Sequence, residues 1–474
     1  MADMISANDQ NNLEQVCQAA HRRARAEGKP VMVSFAFQRK AGDLLPFAEN
    51  VGEDESFRAY WEHPSDDFAM VAGGVAQRFC AKGKGRFKEM ARKIEPMLHT
   101  ALSAGSANSG PYVLGGFSFF DDIDDAEWPG FNAAQMVVPG WMMLRRHGAV
   151  TAMVNRMAAP HEAPQFLAAE IAEKVRMLAN LPVRRRWKKA MEPLASLNRL
   201  LKQLQGAEGR RHWRKMVSNA LAEIRAGRLS KVVLARTFDV LSDKMRSPLP
   251  ILRHLRKAYP ACFNFFVNPG AGQVFLGATP EQLVRYENGR VFLGALAGTT
   301  SRGGNAKEDR ALARRLLASG KERGEHQIVV DAILKSISGL GEIQRPPEPS
   351  VVKLSNLQHL YTPITLRATR PLSIFSMIER LHPTPAVGGH PNPVALERIR
   401  RLENFERGWY AAPVGWMNAR GEGEFAVALR ACTLNAERVR LFAGGGIVAE
   451  SDAEEEFLEI ELKLRPILSA IANA

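Results

Sequence analysis

The pattern that most limits the fold of this chain is a series of strand-like segments in its second half. They are Lys231–Ala235, Cys262–Val267, Gln273–Gly277, Val291–Leu296, Ala412–Trp416, Glu424–Arg430 and Arg438–Ala443. Parallel strands need a crossover of a dozen or more residues, usually a helix, after every strand. No regular alternation of strand and helix occurs here. The sequence therefore predicts an α+β fold with antiparallel sheets rather than a doubly wound fold.

The first 215 residues also mix the two kinds of element. Apolar spacing predicts strands at Val31–Phe37, Gly115–Phe120 and Met136–Leu144, and helices at Leu13–Ala26 and Pro164–Leu178. A basic helical stretch follows and ends near residue 227, where the next strand begins. The length of 474 residues allows about three domains of the usual size or one large domain.

Composition places the chain among globular proteins. Hydrophobic residues make up 46% and charged residues 24% of the sequence, which is typical of a packed protein and too apolar for a disordered one. The longest apolar stretch is far shorter than the roughly 18 residues that cross a bilayer. The N-terminus lacks the apolar segment of a secretory signal, and the four cysteines lie far apart without zinc-ligand spacing. We expect a cytoplasmic protein without a membrane span.

The formal net charge of +14 permits an anionic partner. Residues 182–231 hold fourteen lysines and arginines but only three acids. Two runs in this stretch, Arg184–Lys189 and Arg210–Lys215, raise the alternative of a nucleic-acid-binding protein. A solvated helix face explains the same runs, with Trp187 and Trp213 anchoring the helix to a core, and no nucleic-acid motif accompanies them.

Two predicted helices each carry a pair of glutamates one turn apart. In the closing helix, Glu456, Glu459 and Lys463 share one face beside an apolar stripe. An earlier helix repeats the arrangement with Glu322 and Glu325. Two such pairs facing each other would form an all-oxygen site for Mg2+. Solvated helix surface is the alternative interpretation, because glutamate is common on helices.

Three further features are ambiguous when each is taken alone. The turn Gly444–Gly446 would let backbone amides approach an anion, although simple turn geometry explains it equally well. Lys231 begins a strand, where a solvent-facing lysine is ordinary. Glu281 follows a proline at the end of a strand. None of them assigns a function by itself.

Eight segments, however, occur in an order and spacing typical of one family. They are Lys231–Arg236, Gly277–Glu281, Ala297–Thr299, Lys321–His326, Leu381–Ala386, Glu406–Ala411, Ala428–Ala431 and Ser451–Glu456. Together they resemble the chorismate-utilising enzymes, most clearly from about residue 218 to residue 467. Upstream, Trp61–Pro64 and Gly115–Phe119 resemble the N-terminal part of the isochorismate synthase branch.

The resemblance implies a particular architecture. Two large, mainly antiparallel sheets would pack in a sandwich, with helices on the outside. Residues 1–474 would form a single large domain. Within it, residues 1–215 would be a divergent N-terminal half and residues 216–470 a catalytic half that binds chorismate.

Individual positions distinguish the branches of the family. Anthranilate synthases typically lack lysine at the position of Lys231, because ammonia is their nucleophile. Aminodeoxychorismate synthases place a lysine nucleophile where this chain has Ala297. The combination found here resembles isochorismate synthases, which use water and need no glutamine amidotransferase subunit. The alternative is a salicylate synthase, which also eliminates pyruvate and tends to carry threonine near Ala386.

The resemblance also implies the chemistry. Mg2+, held by Glu325 and Glu459 with the other glutamate of each pair in support, would bind the ring carboxylate of chorismate. Lys231 would take a proton from the water that attacks C2, and Glu281 would protonate the departing C4 hydroxyl group. Both side chains must be uncharged for these roles, which burial favours.

The substrate-binding residues that the resemblance implies either donate hydrogen bonds or leave space for the ring. They are Gly298, Thr299, His359, Ala386, Tyr410, Arg430, Gly444, Gly445 and Lys463. Tyr410 and Arg430 would hold the enolpyruvyl carboxylate, and Lys463 with the two glycine amides would complete the clamp. Ala386 would leave room for the attacking water.

Two histidines and the biological setting keep alternatives open. His359 would lie near the ring or be a satisfied structural histidine. His390 is unusual for the family and would tune ring placement or be exposed. Isochorismate feeds menaquinone or siderophore biosynthesis, and the length and developed N-terminal part lean towards menaquinone. We expect a monomer or homodimer that acts without nucleic acid or membrane.

Overall fold

The computed structural model describes residues 7–40, 42–48, 56–105, 110–181, 197–204, 206–241 and 247–473. The predicted basic run at residues 184–189, with Trp187, lies outside these residues. Within the described part, no helix is long and apolar enough to span a membrane.

The elements of the first half mix helices with short strands. In chain order they are α1 (Ala7–Glu27), β1 (Val31–Arg39), β2 (Arg58–His63), β3 (Phe68–Gly73), β4 (Gln77–Ala81), α2 (Arg86–Thr100), β5 (Leu102–Gly105), β6 (Tyr112–Phe117), β7 (Ala134–Val138), β8 (Trp141–Arg146), β9 (Ala149–Ala158), α3 (Pro164–Asn180), α4 (Leu197–Leu204) and α5 (Ala207–Arg225). The single strand predicted at Met136–Leu144 is wrong. Pro139 and Gly140 divide it into β7 and β8, which join different sheets, because proline cannot donate to a strand ladder.

The second half contains the strands and helices that the sequence predicts, with shifts at their ends, together with further elements that the sequence analysis did not predict. They are β10 (Lys231–Leu241), α6 (Leu249–Ala258), β11 (Phe263–Asn268), β12 (Val274–Thr279), β13 (Gln282–Glu287), β14 (Arg290–Ser301), α7 (Ala306–Ala318), α8 (Gly320–Ile337), β15 (Gly341–Gln344), β16 (Ser350–Lys353), β17 (Leu357–Ala368), α9 (Ile374–Leu381), β18 (Gly389–His390), α10 (Asn392–Leu402), β19 (Pro413–Asn418), β20 (Gly423–Val427), β21 (Ala431–Leu434), β22 (Arg438–Ile447) and α11 (Ala453–Ala472). The strand predicted at Glu424–Arg430 ends early, because Arg430 adopts a left-handed φ of 47°.

The strands form two large sheets. The first has the order β18-β10-β22-β21-β12-β11-β2-β3-β8-β9-β1-β5, and the second has β15-β17-β14-β13-β20-β19-β6-β7-β4, with β16 also paired to β17. Among these pairs only β1 with β5 is parallel. The predicted α+β fold with two mainly antiparallel sheets is confirmed.

Strands from both halves of the chain share both sheets. In the first sheet β2 pairs with β11, and in the second β6 pairs with β19. The sheets also contact each other through aromatic side chains, because the ring of Phe68 in β3 stacks on Trp416 in β19 at 5.4 Å. The single domain, with a boundary between its halves near residue 215, stays a prediction, which this sharing of sheets supports.

Two helices pack against strands where the sheets approach each other. Helix α8 lies on β14, and α11 lies on β22. The apolar stripe of α11 is buried as predicted: Phe457, Ile460, Leu464 and Ile467. Because a stripe at this spacing has one buried face, it fixes which way the neighbouring glutamates project.

Candidate active site

A pocket lies between β10, β14 and β22, next to α8 and α11. Most of the residues that the sequence assigned to a site line this pocket: Glu281, Gly298, Thr299, Glu325, His359, Ala386, Tyr410, Arg430, Gly444, Glu459 and Lys463. The other predicted residues do not belong to its lining: Lys231, Glu322, Gly445 and Glu456. Residues separated by up to about 230 positions in sequence therefore meet around one cavity.

Lys231 is buried rather than solvent-facing. It has no exposed surface, and its Nζ lies 2.8 Å from Glu325 Oε1. Side chains alternate along a strand, so Lys231 shares a face of β10 with Val233 and Ala235, which both line the pocket. One edge of β10 pairs with β22, and the other edge pairs with β18. Lys231 thus approaches the pocket from beside Glu325.

Gly446 makes this approach possible. A Cβ atom at Gly446 would lie 2.5 Å from Glu325 Oε1 and 3.0 Å from Lys231 Cε. Both distances are shorter than van der Waals contact. The absence of a side chain at Gly446, the third glycine of the Gly444–Gly446 segment, therefore leaves the space that the ion pair occupies. The sequence pattern did not distinguish this role from simple turn geometry.

The four glutamates come from the two helices that the sequence indicated, and lysines neutralise three of them. Ion pairs join Lys231 to Glu325 at 2.8 Å, Lys463 to Glu459 at 2.7 Å and Lys321 to Glu456 at 3.1 Å. Among the residues that the structure describes, no three acidic, histidine or cysteine side chains already gather as ligands around one point. Three of the four carboxylates instead lie against an ammonium group.

The carboxylates nevertheless lie close enough to influence one another. Burial, followed by the charge of Glu325, raises the pKa of Glu322 to about 7, and Glu459 adds to the rise. Burial is the largest single influence on Glu325 and acts to raise its pKa, but the charge and hydrogen bond of Lys231, with the charges of Lys463 and Lys321, together lower the pKa of Glu325. Oxygen donors on two facing helices fit a hard divalent cation such as Mg2+.

Glu281 lies where the chain crosses from the first sheet to the second. The crossing is short, from the end of β12 at Thr279 to the start of β13 at Gln282, and Glu281 is buried. Burial raises its pKa to about 7, although the charges of Lys231 and Lys463 act in the opposite direction. The side chain therefore holds its proton much nearer to neutral pH than an exposed glutamate does.

A chain of contacts holds Arg430 at the pocket wall. Arg430 Nη2 donates to His359 Nε2 at 3.1 Å, and His359 Nδ1 lies 3.2 Å from Thr299 Oγ1. A guanidinium group can only donate, so His359 is neutral with its proton on Nδ1. Burial and the charge of Arg430 lower the pKa of this histidine well below its usual value. Arg430 Nη1 is buried without a hydrogen-bond partner among the described residues, which leaves a donor for an anion.

Gly298 shapes the same wall. It forms a β-bulge between β14 and β17 with a φ of 77°, a conformation that glycine adopts without strain. The bulge turns the amide of Thr299 towards Glu322, which accepts its hydrogen bond at 2.8 Å.

The glycines at the end of β22 do not have equal roles. Gly444 lies at the pocket, and its carbonyl oxygen accepts a hydrogen bond from Lys463 Nζ at 3.0 Å. In the ladder between β10 and β22, Val233 is opposite Gly446 and Leu234 is opposite Gly445. The backbone amide of Val233 donates to the carbonyl oxygen of Gly388 in place of Gly446, so Val233 and Gly446 are not a hydrogen-bonded pair. Hydrogen-bonded pairs alternate in an antiparallel ladder, so Gly445 exchanges its bonds with Leu234. The position of Gly445 does not favour its predicted role, because the sheet uses its amide.

Comparison with known proteins agrees with this arrangement. A family model described as chorismate binding enzyme matches residues 15–472. The chain belongs to the chorismate-binding enzyme family. The resemblance that the sequence motifs indicated is confirmed.

Relatives of this chorismate-binding enzyme match it over nearly its whole length. It is 37% identical to the salicylate biosynthesis isochorismate synthase of Pseudomonas aeruginosa, covering 95% of this chain and 93% of that protein. It is 31% identical to the isochorismate synthase MenF of Bacillus subtilis, covering 99% of both. The solved MenF structure from Escherichia coli superposes with a TM-score of 0.74 at 23% identity, over 96% of this chain and 100% of the other. Anthranilate synthase component I from Streptococcus pneumoniae gives 0.67 at 21% identity, over 85% and 92%. The two solved structures show a shared fold.

Sequence reasoning missed a buried ion pair that supports the pocket of this chorismate-binding enzyme. Arg407 pairs with Glu403 through two contacts of 2.5 and 2.8 Å, and it donates to the carbonyl oxygens of Val387 and Val233. Arg407 and both valines line the pocket. The spacing of four residues between Glu403 and Arg407 was the available signal.

The structure also places the residues whose roles the sequence left open. His390 is exposed and pairs with Lys231 across β18 and β10. Trp213 is fully buried, and its Nε1 donates to the carbonyl oxygen of Ala453 at 3.1 Å. Arg214, on the same basic helix α5, pairs with Glu454 at 2.8 Å. At least part of the basic stretch therefore anchors the start of α11.

Proposed function

We propose that the protein is an isochorismate synthase, an isomerase that moves a hydroxyl group on chorismate from C4 to C2. The observation that carries this proposal is one pocket that combines a buried acid, Glu281, with cationic groups on Arg430 and Lys463. Relatives named isochorismate synthase match almost the whole chain. Chorismate is a dianion, and a pocket with two cationic donor groups suits it.

The acid and the base would act from different elements. Glu281, at the crossing between the sheets, would give its proton to the departing C4 hydroxyl group, which leaves as water. Lys231, on β10, would act in its uncharged form and take a proton from the water that attacks C2, while the double bonds shift. General acid and base groups of this kind contribute about 10²- to 10⁴-fold each to a rate.

The remaining pocket residues would hold and orient the substrate. Arg430 Nη1 would donate to the enolpyruvyl carboxylate, because the contact of Nη2 with His359 already fixes its guanidinium plane. Tyr410 would donate from beside Gly444: burial raises the pKa of its phenol, so the proton stays on. Its ring is held by stacking on Phe442 at 5.1 Å. Lys463 and the Gly444 segment would complete the clamp, and Ala386 would leave space beside the ring.

Glu325 and Glu459 line the pocket and would hold Mg2+, with Glu322 and Glu456 in support. A divalent cation there would neutralise the ring carboxylate of chorismate and fix the orientation of the ring. The donor chemistry fits, because all four groups are carboxylates, and oxygen ligands are those that Mg2+ prefers.

The close approach of Gly446 to the Glu325 carboxylate gives a first prediction. Gly446→Ala should raise the Mg2+ concentration needed for half-maximal activity and lower kcat/KM about tenfold to hundredfold, because the new Cβ displaces the Glu325 carboxylate. Steady-state rates measured over a magnesium titration provide the check. The matched control is Gly324→Ala on α8, where a Cβ meets nothing within 4 Å. Unchanged magnesium dependence in Gly446→Ala would contradict a metal-binding role for Glu325.

The orphaned donor of Arg430 gives a second prediction. Arg430→Gln should raise the KM for chorismate about tenfold to hundredfold, because a charge-assisted hydrogen bond contributes roughly 1.5–3 kcal/mol. Steady-state kinetics measure this, and Arg420→Gln is the control, since Arg420 pairs with Glu422 on an exposed turn. A KM that stays at the wild-type value would show that Arg430 does not contact the substrate.

Product analysis tests the proposal as a whole. Incubation with chorismate and Mg2+ should give isochorismate on chromatography, and EDTA should suppress it. Salicylate and pyruvate appearing together would identify a salicylate synthase instead. An absence of any product with added Mg2+ would reject the activity. The cytoplasmic location, the oligomeric state and the lean towards menaquinone stay predictions.

A further inference from the structure

The ion pairs around the glutamates include one lysine that the proposed reaction does not use. Lys231 and Lys463 have proposed roles as base and as substrate ligand. Lys321 has none, and it does not line the pocket. Its charge nevertheless enters the same group of carboxylates, because its Nζ lies 3.1 Å from Glu456 Oε1.

Lys321 connects the two helices that carry the glutamates. It precedes Glu322 in α8, whereas Glu456 belongs to α11. The Glu456 carboxylate is nearly buried, with 4% of its side chain exposed, while Lys321 keeps 26% exposed. Ser451 Oγ also donates to Glu456 Oε1, at 2.7 Å. By contrast, the Lys463–Glu459 pair lies within α11 and the Lys231–Glu325 pair joins β10 to α8. Lys321 is therefore the lysine that ties α8 directly to α11.

We propose that Lys321 is a resident counter-cation of the metal site, which holds α8 and α11 together before a divalent cation binds and competes with that cation for Glu456. This inference rests on the metal site of the proposed function. Four carboxylates on facing helices repel one another unless cations separate them. A lysine on Glu456 lowers that repulsion and, by the same charge, repels an arriving Mg2+. Lys321 thus stabilises the metal-free protein and lowers the affinity of the site for Mg2+.

Magnesium binding measured without chorismate tests the competition directly. Isothermal titration calorimetry with MgCl2 on the full chain should give about three- to tenfold tighter binding for Lys321→Met than for the wild type, because one nearby positive charge is removed. Lys321→Arg keeps the charge and should bind like the wild type. Lys335→Met, an exposed position on the same helix, is the control for a changed net charge.

Thermal unfolding supplies the second readout. In EDTA, Lys321→Met should unfold at a lower temperature than the wild type. Saturating Mg2+ should raise the unfolding midpoint of Lys321→Met by more than it raises the midpoint of the wild type. Lys321→Gln serves as a second neutral variant should Lys321→Met fail to fold. A lower midpoint with unchanged or weaker magnesium binding would overturn the inference and leave Lys321 as a structural ion pair. A wild-type protein that binds no Mg2+ would instead overturn the metal site itself, and the inference with it.

Discussion

Lys231→Met is expected to lower kcat for isochorismate formation by about 10²- to 10⁴-fold, with a smaller effect on KM. Methionine has a similar length and keeps the space beside Glu325 filled, but it cannot accept a proton from water. The loss should therefore appear in the chemical step. Steady-state kinetics with chorismate at saturating Mg2+ measure it, and a thermal unfolding midpoint near that of the wild type shows that the protein still folds.

Lys353→Met provides the matched control for the lysine. Lys353 also forms an ion pair with a carboxylate, Asp309, at 2.8 Å, but neither residue lines the pocket. Its replacement should leave kcat within about twofold, since the buried Asp309 keeps its second ion pair, with Arg302 at 2.6 Å. Near-normal turnover in Lys231→Met would show that Lys231 is not the base that takes a proton from the attacking water.

Glu281→Gln should also lower kcat by about 10²- to 10⁴-fold, because glutamine fills the same space but has no acidic proton. The pH profile makes this prediction specific. Burial raises the pKa of Glu281 to about 7, so the acid is protonated below that pH and loses its proton above it. The kcat/KM of the wild type should fall as pH rises through about 7, and the residual activity of Glu281→Gln should lack this limb.

Glu424→Gln is the control for this profile. Glu424 is another buried glutamate whose pKa burial raises to about 7, but it lies in β20, away from the pocket lining. Its replacement should keep both the rate and the descending limb. If the limb disappears in Glu424→Gln and persists in Glu281→Gln, the acid of the reaction has been assigned to the wrong residue.

Local sequence patterns predicted the elements well, because they depend on spacing along the chain. The apolar stripe of α11 is enough by itself to predict the direction in which Glu456 and Glu459 project. The apolar pattern at Met136–Leu144 wrongly predicted a single strand. Hydrophobicity alone gives no register, and the break at Pro139 decides which sheet each part joins.

The environment of each charged group could not be predicted from spacing alone. Lys231 had the pattern of a strand-edge lysine, and only the pairing of β10 with β18 and β22 shows that it is buried. The bridge between Lys321 and Glu456 joins residues 135 positions apart, a distance at which no helical periodicity applies. The family resemblance supplied the list of site residues, whereas burial and ion pairs are properties of the folded chain.

The origin of the new hydroxyl group tests the central claim most directly. The protein should be incubated with chorismate and Mg2+ in water enriched in oxygen-18, and the product separated and weighed by mass spectrometry. Attack by solvent water at C2 with loss of the C4 hydroxyl predicts isochorismate that carries one oxygen-18 atom. Isochorismate without the label would contradict the account, because the hydroxyl group would then have moved without activation of water.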